Sequence, residues 1–259
     1  MSWFCCTKYN ICSNACSVVC IKQLAEETHF CKFRFSGRLF SYIIIGILGY
    51  PLAGEENMLE YERELWDRGI GRIAGVDEVG RGCLFGDVVA AAVILPEGVV
   101  LEGVDDSKKL SEKKREALYD VIMDCAEAVG IGVVDVPTIE KINIKQAARL
   151  AMRQAVEKLN VKPDMLLVDA EKVDVPIEQM AIIHGDALSQ SIAAASIVAK
   201  VTRDRMCRHW DLQYPEYGIA IHKGYATAYH RERIIEFGPS PMHRRTFLKK
   251  IAYEQQVLF

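Results

Sequence analysis

The chain has 259 residues, half of them apolar and 26% charged, with a formal net charge of −3. Such a chain can bury a sizeable core and is expected to be a soluble globular protein, while the charge excludes binding to nucleic acid by bulk positive charge alone. No apolar run reaches the ~18 residues a transmembrane helix needs, so the sequence predicts none and no membrane partner.

The first 57 residues read differently from the rest. Six of the nine cysteines (Cys5, Cys6, Cys12, Cys16, Cys20 and Cys31) fall there, while Cys83, Cys125 and Cys207 lie far apart. A disulfide scaffold would spread its cysteines through a small secreted domain, so the remainder is read as reduced and cytoplasmic. Cys12, Cys16 and Cys20 have helical spacing, which leaves zinc binding conceivable, although no second ligand half is evident. An apolar stretch from Tyr42 to Tyr50, ended by Pro51, is too short to span a bilayer and too far along the chain for an ordinary signal peptide. Residues 1–57 are therefore expected to be a poorly ordered leader or a small appendage, with Met58 as a plausible natural start. Residues 58–210 are expected to form the main domain and 211–259 a helical segment that completes it.

From residue 58 the periodicity is orderly. Residues 59–68 suit a short amphipathic helix and 72–77 a strand; residues 88–95 form a valine- and alanine-rich run, as in a strand covered on both faces. Asp106-Ser107 is expected to cap a helix running to about Ala128, followed by a strand over 129–136. Pro137-Thr138 should open a helix reaching Leu159, and short strands are expected at 165–169 and 179–183. A helix from Ala187 to about Trp210 and two more helices in the last 40 residues complete the prediction. Strands mixed with helices in this order predict an α/β sheet layered by helices with a helical tail.

The sharpest local feature is Ile73-Ala74-Gly75-Val76-Asp77-Glu78-Val79-Gly80-Arg81-Gly82, where two acids end an apolar strand just before a glycine turn. Neighbouring strand residues face opposite ways, but beside Gly80 and Gly82 the backbone could turn so that both acids reach one site. Leu166-Leu167-Val168-Asp169 and Ile182-Ile183-His184-Gly185-Asp186 each deliver a further acid at a strand end. Each acid alone reads as a turn or capping residue. Four together at apolar strand ends are costly unless a cation compensates, and all-oxygen ligation points to Mg²⁺ or Mn²⁺. Two such ions suit phosphoryl transfer.

With these motifs stand Asp106-Ser107-Lys108-Lys109-Leu110, the run from Ile192 to Asp204, His222-Lys223-Gly224-Tyr225 and Ser240-Pro241-Met242-His243-Arg244. Together they resemble bacterial ribonuclease HII, the type 2 ribonuclease H family, over roughly residues 59–248. The resemblance implies an α/β, ribonuclease H-like mixed sheet flanked by helices, with a C-terminal helical segment. It implies cleavage of RNA in RNA–DNA hybrids and nicking 5′ of single ribonucleotides embedded in duplex DNA, giving a 3′-hydroxyl and a 5′-phosphate. It also implies that Asp77, Glu78, Asp169 and Asp186 are catalytic and hold two divalent ions, Mn²⁺ or Mg²⁺. Gly80, Arg81 and Gly82 match the loop that senses the ribose 2′-hydroxyl, Tyr225 matches a tyrosine that packs on the adjoining sugar, and Ser107, Lys108 and Lys109 are expected at phosphates. A monomer is expected.

The chain departs from the family pattern at Cys83, Phe85 and Asp87, where proline, alanine and proline are common, and at His184, where lysine usually precedes Gly-Asp. Loss of the two prolines, at Cys83 and Asp87, is expected to loosen the loop in the unfolded state, Asp87 to add charge near the site, and His184 to add pH sensitivity. From Lys200 onward, eleven basic residues against six acids give +5, so the rest of the chain carries −8. That asymmetry suits a duplex-clamping nuclease, though alone it is a weak signal. The related type 3 family, with a Gly-Lys-Gly loop and a glutamate as fourth acid, matches Arg81 and Asp186 less well. A non-catalytic hybrid-binding relative is the remaining alternative.

Overall fold

The computed structural model describes the strands at residues 30–35 and 38–43, for which only the backbone is considered, and residues 56–105 and 107–249. The cysteines from Cys5 to Cys20, most of the apolar stretch before Pro51, Asp106 and the last residues lie outside that description. The chain divides into two units, Met1–Leu52 and Ala53–Phe259. In the first, β1 (Phe30–Phe35) pairs antiparallel with β2 (Arg38–Ile43).

The second unit is built on a five-stranded mixed sheet ordered β5-β4-β3-β6-β7. Its strands are β3 (Ile73–Val79), β4 (Val88–Ile94), β5 (Ala128–Val134), β6 (Met165–Asp169) and β7 (Glu178–Ile182). The first three are antiparallel neighbours, whereas β3–β6 and β6–β7 are parallel. Every residue of β4 is buried, as its unbroken apolar run requires of a strand with helices on both faces.

On one face lies α4 (Ile144–Glu157), whose Ala148, Ala151, Met152 and Ala155 pack with Ala74, Val76, Leu166 and Val168. On the other lies α6 (Gln190–Gln213), whose Ala194, Ile197 and Val198 pack with Ala91 and Val93 and with α2 (Glu112–Cys125). Small residues let α6 approach closely: a Cβ on Gly75 would stand 2.0 Å from the backbone carbonyl of Ser191.

Several boundaries differ from expectation, each for a local reason. α2 starts at Glu112 because Ser111, not Asp106-Ser107, accepts the Lys114 amide as its cap, and it ends at Cys125, so β5 begins by Ala128. The single helix expected up to Leu159 is two, α3 (Val136–Ile142) and α4, broken at Asn143. That residue takes a positive φ of 68° and caps the Lys145 and Gln146 amides. The helix expected from Ala187 is likewise split into α5 (Gly185–Leu188) and α6 by extended Ser189. Glu62, buried on α1 (Glu60–Asp67), secures that break by accepting from the Ser189 hydroxyl at 2.6 Å and the Ser191 amide at 2.9 Å. Among the described residues, the tail holds α7 (Ile219–His222) and α8 (Ala228–Phe237) with 3₁₀ turns; Gly218, Lys223 and Gly238 sit at positive φ where these short helices begin or stop. Among the described residues, no helix is long and apolar enough to cross a membrane.

Candidate active site

Strand alternation places the acids. On β3, Ala74 and Val76 point to α4, so Gly75 and Asp77 point to α6. On β6, Leu166 and Val168 likewise face α4, which leaves Asp169 on the α6 side. The parallel register pairs Val76 with Val168, so Asp77 and Asp169 emerge side by side where β3 and β6 end. β7 ends one residue before Ile183-His184-Gly185-Asp186, and the Gly185 amide donates to Asp169 Oδ1 at 2.8 Å, bringing Asp186 alongside. Glu78, the next residue along β3, lies close enough to Asp77 and Asp169 for their charges to repel. It pairs with Arg81 at 2.9 Å, with Glu171 close by.

Burial and mutual repulsion make Asp77, Glu78 and Asp169 reluctant anions. Asp77, 6% exposed, is raised well above the ordinary aspartate range by desolvation, then by Glu78 and Asp169; the Ser196 hydroxyl partly offsets this. Desolvation also raises Glu78, against the lowering effect of Arg81. Asp169 is raised by desolvation and Asp186, while the Gly185 amide, Lys108 and His184 pull it down. Lys108 Nζ lies 3.0 Å from Asp186.

Among the described residues, no three His, Cys, Asp or Glu side chains are grouped tightly enough to enclose a metal ion; Glu78 is engaged by Arg81 and Asp186 by Lys108. The donor set nevertheless fits a hard divalent cation. It is all oxygen, it is destabilised as anions, and Glu78 Oε2 is buried with no hydrogen-bond partner.

The expected substrate residues divide. Arg81 and Gly82 are accessible, and Gly80 lies beneath them with φ 95°, where a Cβ would strike Arg203 Nε at 2.3 Å. Tyr225 is 42% exposed in the turn between α7 and α8. Ser107 is buried and its hydroxyl bonds that of Ser196 at 2.8 Å, so the side chain supports Asp77 through Ser196 and is not presented to a phosphate. Lys109 is on the surface beside Asp105, at 3.1 Å.

Two arginines that sequence reasoning left in the basic tail hold the turn in place. Arg244 donates to the carbonyls of Gly80 (2.7 Å), Arg81 (3.1 Å) and Gly86 (2.6 and 2.9 Å). Arg203 donates to those of Phe85, Asp87 and Lys223. Both are fully buried. Phe85 anchors the loop: fully buried, its ring meets those of Trp210, Tyr214 and His243 edge-on. Cys83 is buried with its thiol on the Lys223 carbonyl. Asp87 is half-buried among Asp135, Arg244 and Arg203, and burial pushes it up to about 6. Part of the basic excess is thus spent inside the fold or on acids, since Arg205 and Arg208 are paired with Glu116 and Glu112 as well.

Comparison with known sequences decides the family. The sequence model for Ribonuclease HII matches residues 74–250. This chain belongs to the ribonuclease HII family. It is 59% identical over 201 residues to the ribonuclease HII of Alkaliphilus metalliredigens, covering 75% of this chain and 98% of the relative. The ribonuclease HII of Alkaliphilus oremlandii is 55% identical over 199 residues, covering 74% and 98%. Among solved structures, ribonuclease H2 from Pyrococcus horikoshii is similar with a TM-score of 0.61 at 26% identity, covering 71% of this chain and 99% of that one. A structure of the PCNA:RNase HII complex from Archaeoglobus fulgidus is similar with a TM-score of 0.57 at 26% identity, over 67% and 93%. The ribonuclease HIII structure Bst-RNase HIII, solved in complex with Mn²⁺, shares the fold at 18% identity, over 88% and 82%, with a TM-score of 0.56. The fold is therefore the expected ribonuclease H-like one, and the protein is an enzyme, a ribonuclease HII-type endonuclease.

Sequence reasoning missed Ser196, Glu62, Glu171, Arg203 and Arg244. Only Glu171 carried a local signal, standing two residues beyond Asp169; it takes Arg149 in a two-pronged pair at 2.9 and 3.0 Å.

Proposed function

We propose that the protein is an endoribonuclease that cuts the RNA strand of RNA–DNA hybrids and nicks 5′ of single ribonucleotides embedded in duplex DNA, leaving a 3′-hydroxyl and a 5′-phosphate. The observation that carries this reading is the pairing of Asp77 and Asp169 on one face at the ends of parallel strands, beside a glycine turn staked by two buried arginines. Asp77, Glu78, Asp169 and Asp186 would hold two divalent cations, Mg²⁺ or Mn²⁺. When bound, these supply concentrated positive charge at the scissile phosphate and lower the cost of forming the attacking hydroxide.

The chain's own residues do the rest. Ser196, backed by Ser107, fixes the Asp77 carboxylate. The turn at Gly80-Arg81-Gly82 presents main chain with little side-chain cover, the surface a protein needs to approach a 2′-hydroxyl across a shallow minor groove. Tyr225 offers an exposed ring to the neighbouring sugar, where a deoxyribose packs better than a ribose with its hydroxyl. Lys108 and Lys109 supply positive charge for phosphates on the rim. The enzyme works as a cytoplasmic monomer without a membrane surface, removing ribonucleotides left in DNA.

The test is incubation with duplex DNA carrying one ribonucleotide, in Mn²⁺ or Mg²⁺ and then in EDTA, alongside a duplex with a long RNA tract. Nicking of both, abolished by EDTA and by Asp77→Asn or Asp169→Asn, is the expected result. Binding without nicking, or full activity in either variant, would overturn it.

A further inference from the structure

The exposed ring of Tyr225 is aimed by a buried chain of histidines. His222, His230 and His243 are all buried. His230 and His243 face each other through their Nε2 atoms at 3.2 Å, and His222 stacks on His230 with ring centroids 4.1 Å apart. Each end meets a backbone group with only one possible role, and the Ser240 hydroxyl, which also lies 2.9 Å from His243 Nδ1, can donate while accepting from the Met242 amide, so the protons can be placed by chemistry. The Ser240 amide can only donate, and it reaches His243 Nδ1 at 3.0 Å; that nitrogen is therefore a lone pair and the proton sits on Nε2. At the other end the Tyr225 carbonyl can only accept, and His230 Nδ1 stands 2.9 Å from it, so His230 carries its proton on Nδ1. The two deductions, made independently, leave one donor and one acceptor at the Nε2–Nε2 contact. The chain closes. His222 is fixed in the same way: its Nδ1 accepts from the Gly224 amide at 3.2 Å and its Nε2 donates to the Tyr217 carbonyl at 2.9 Å.

We propose that His230 and His243 are positioning residues for substrate choice: a proton-ordered chain from Ser240 through both rings grips the Tyr225 carbonyl and sets the angle at which the tyrosine meets the sugar. This rests on the reading of Tyr225 given above. The same turn is held on its other side by the Tyr225 amide, which donates to the His222 carbonyl at 2.9 Å. The chain also joins Tyr225 to the glycine turn, since His243 pairs with Phe85 across an isolated bridge and the Gly224 carbonyl accepts from the Leu84 amide at 2.8 Å. Burial keeps both rings neutral at working pH, with His230 pushed down to about 4 and His243 to about 3. No net charge is needed for the grip, only the right tautomers.

Two measurements test this on the full chain. In the ¹⁵N-histidine-labelled protein at pH 7.5, long-range ¹H–¹⁵N correlation should show His230 protonated on Nδ1, the less common neutral form, and His222 and His243 protonated on Nε2. Assignment comes from the signal lost in His230→Asn. Finding His230 protonated on Nε2, or charged, overturns the proposal without reference to activity, and it does so even where a variant fails to fold.

The second measurement is the ratio of cutting at a single embedded ribonucleotide to cutting of a long hybrid, in Mn²⁺. Asparagine places an amide donor where His230 Nδ1 stands, whereas glutamine places its amide near Nε2 and offers Tyr225 nothing. His230→Asn should keep the ratio within about twofold and His230→Gln should lower it at least fivefold, toward the value of Tyr225→Ala. Equal ratios in the two variants overturn the proposal. If Tyr225→Ala itself leaves the ratio unchanged, the substrate reading of Tyr225 falls, and the tautomer pattern alone decides the chain.

Discussion

Replacing Arg244 by methionine should separate stability from activity, because the guanidinium is costly to bury yet indispensable to the loop. The substitution leaves three carbonyls, those of Gly80, Arg81 and Gly86, without their donor. Each buried acceptor so orphaned costs on the order of 1–3 kcal/mol, and the contact of the guanidinium with the Phe247 ring, 5.5 Å from its centroid, adds up to about 1 kcal/mol. Against this stands relief. Desolvation, and then repulsion by Arg203, lowers the Arg244 pKa from the ordinary guanidinium value to about 10, which corresponds to about 3 kcal/mol stored in the buried cation. Three such carbonyls cost about 3–9 kcal/mol, so after the relief the net loss of stability should lie between about 0 and 7 kcal/mol, most of which a domain of this size tolerates. The glycine turn, however, loses its stake at both ends, so cleavage at an embedded ribonucleotide should fall at least tenfold while the protein remains folded. Urea unfolding followed by absorbance and a gel assay of nicking measure the two quantities. A variant that unfolds cooperatively and nicks at the unaltered rate would refute the idea that Arg244 sets the loop.

Gly75→Ala would drive a methyl group to 2.0 Å from the Ser191 backbone, where nothing flexible can yield, and should abolish cooperative unfolding; a soluble variant melting within a few degrees of the parent would contradict the packing of α6 on β3. Asp77→Asn removes a carboxylate whose native pKa lies well above its unfolded value, so in EDTA near neutral pH the variant should be more stable, though inactive; a lower melting temperature would show that the repulsion is not real. His243 titrates near 6.5 when unfolded but near 3 when folded, so its contribution is whole above pH 6.5 and is lost as pH falls toward 3. His230 acts in the same sense and the raised acids in the opposite one, so the difference between variants is the useful quantity. Between pH 6.5 and 4, replacing His243 by asparagine should flatten the dependence of stability on pH by about 1.4 kcal/mol per pH unit relative to the parent, measured by urea titration, and an unaltered slope would count against a neutral buried ring.

The fold class and the four acids were legible in the sequence because both are written locally. An unbroken apolar run such as β4 reports burial on two faces wherever it is folded, and an acid at the end of such a run stands out against it. The helix breaks were less legible. Asn143 and Ser189 interrupt apolar patterns that continue in phase on either side, and only a positive φ at one and a bond to distant Glu62 at the other mark the interruption. The departures at Cys83 and Asp87 were legible only as a loss of proline, whereas what holds the folded loop, Phe85 packed on Trp210 and His243, is not written locally.

What the sequence determined by itself, then, is the order of strands and helices and the chemistry offered at strand ends, since hydrophobic periodicity and side-chain type act over a few residues. Tertiary structure alone decided that Asp77 leans on Ser196, that Gly80 hangs from Arg244, 164 positions away, and that His230 and His243 meet through their ring nitrogens behind the turn of Tyr225. Those pairings satisfy polar groups forced out of water by the packing of distant segments. Each member alone is an unremarkable serine, arginine or histidine until the fold removes its solvent.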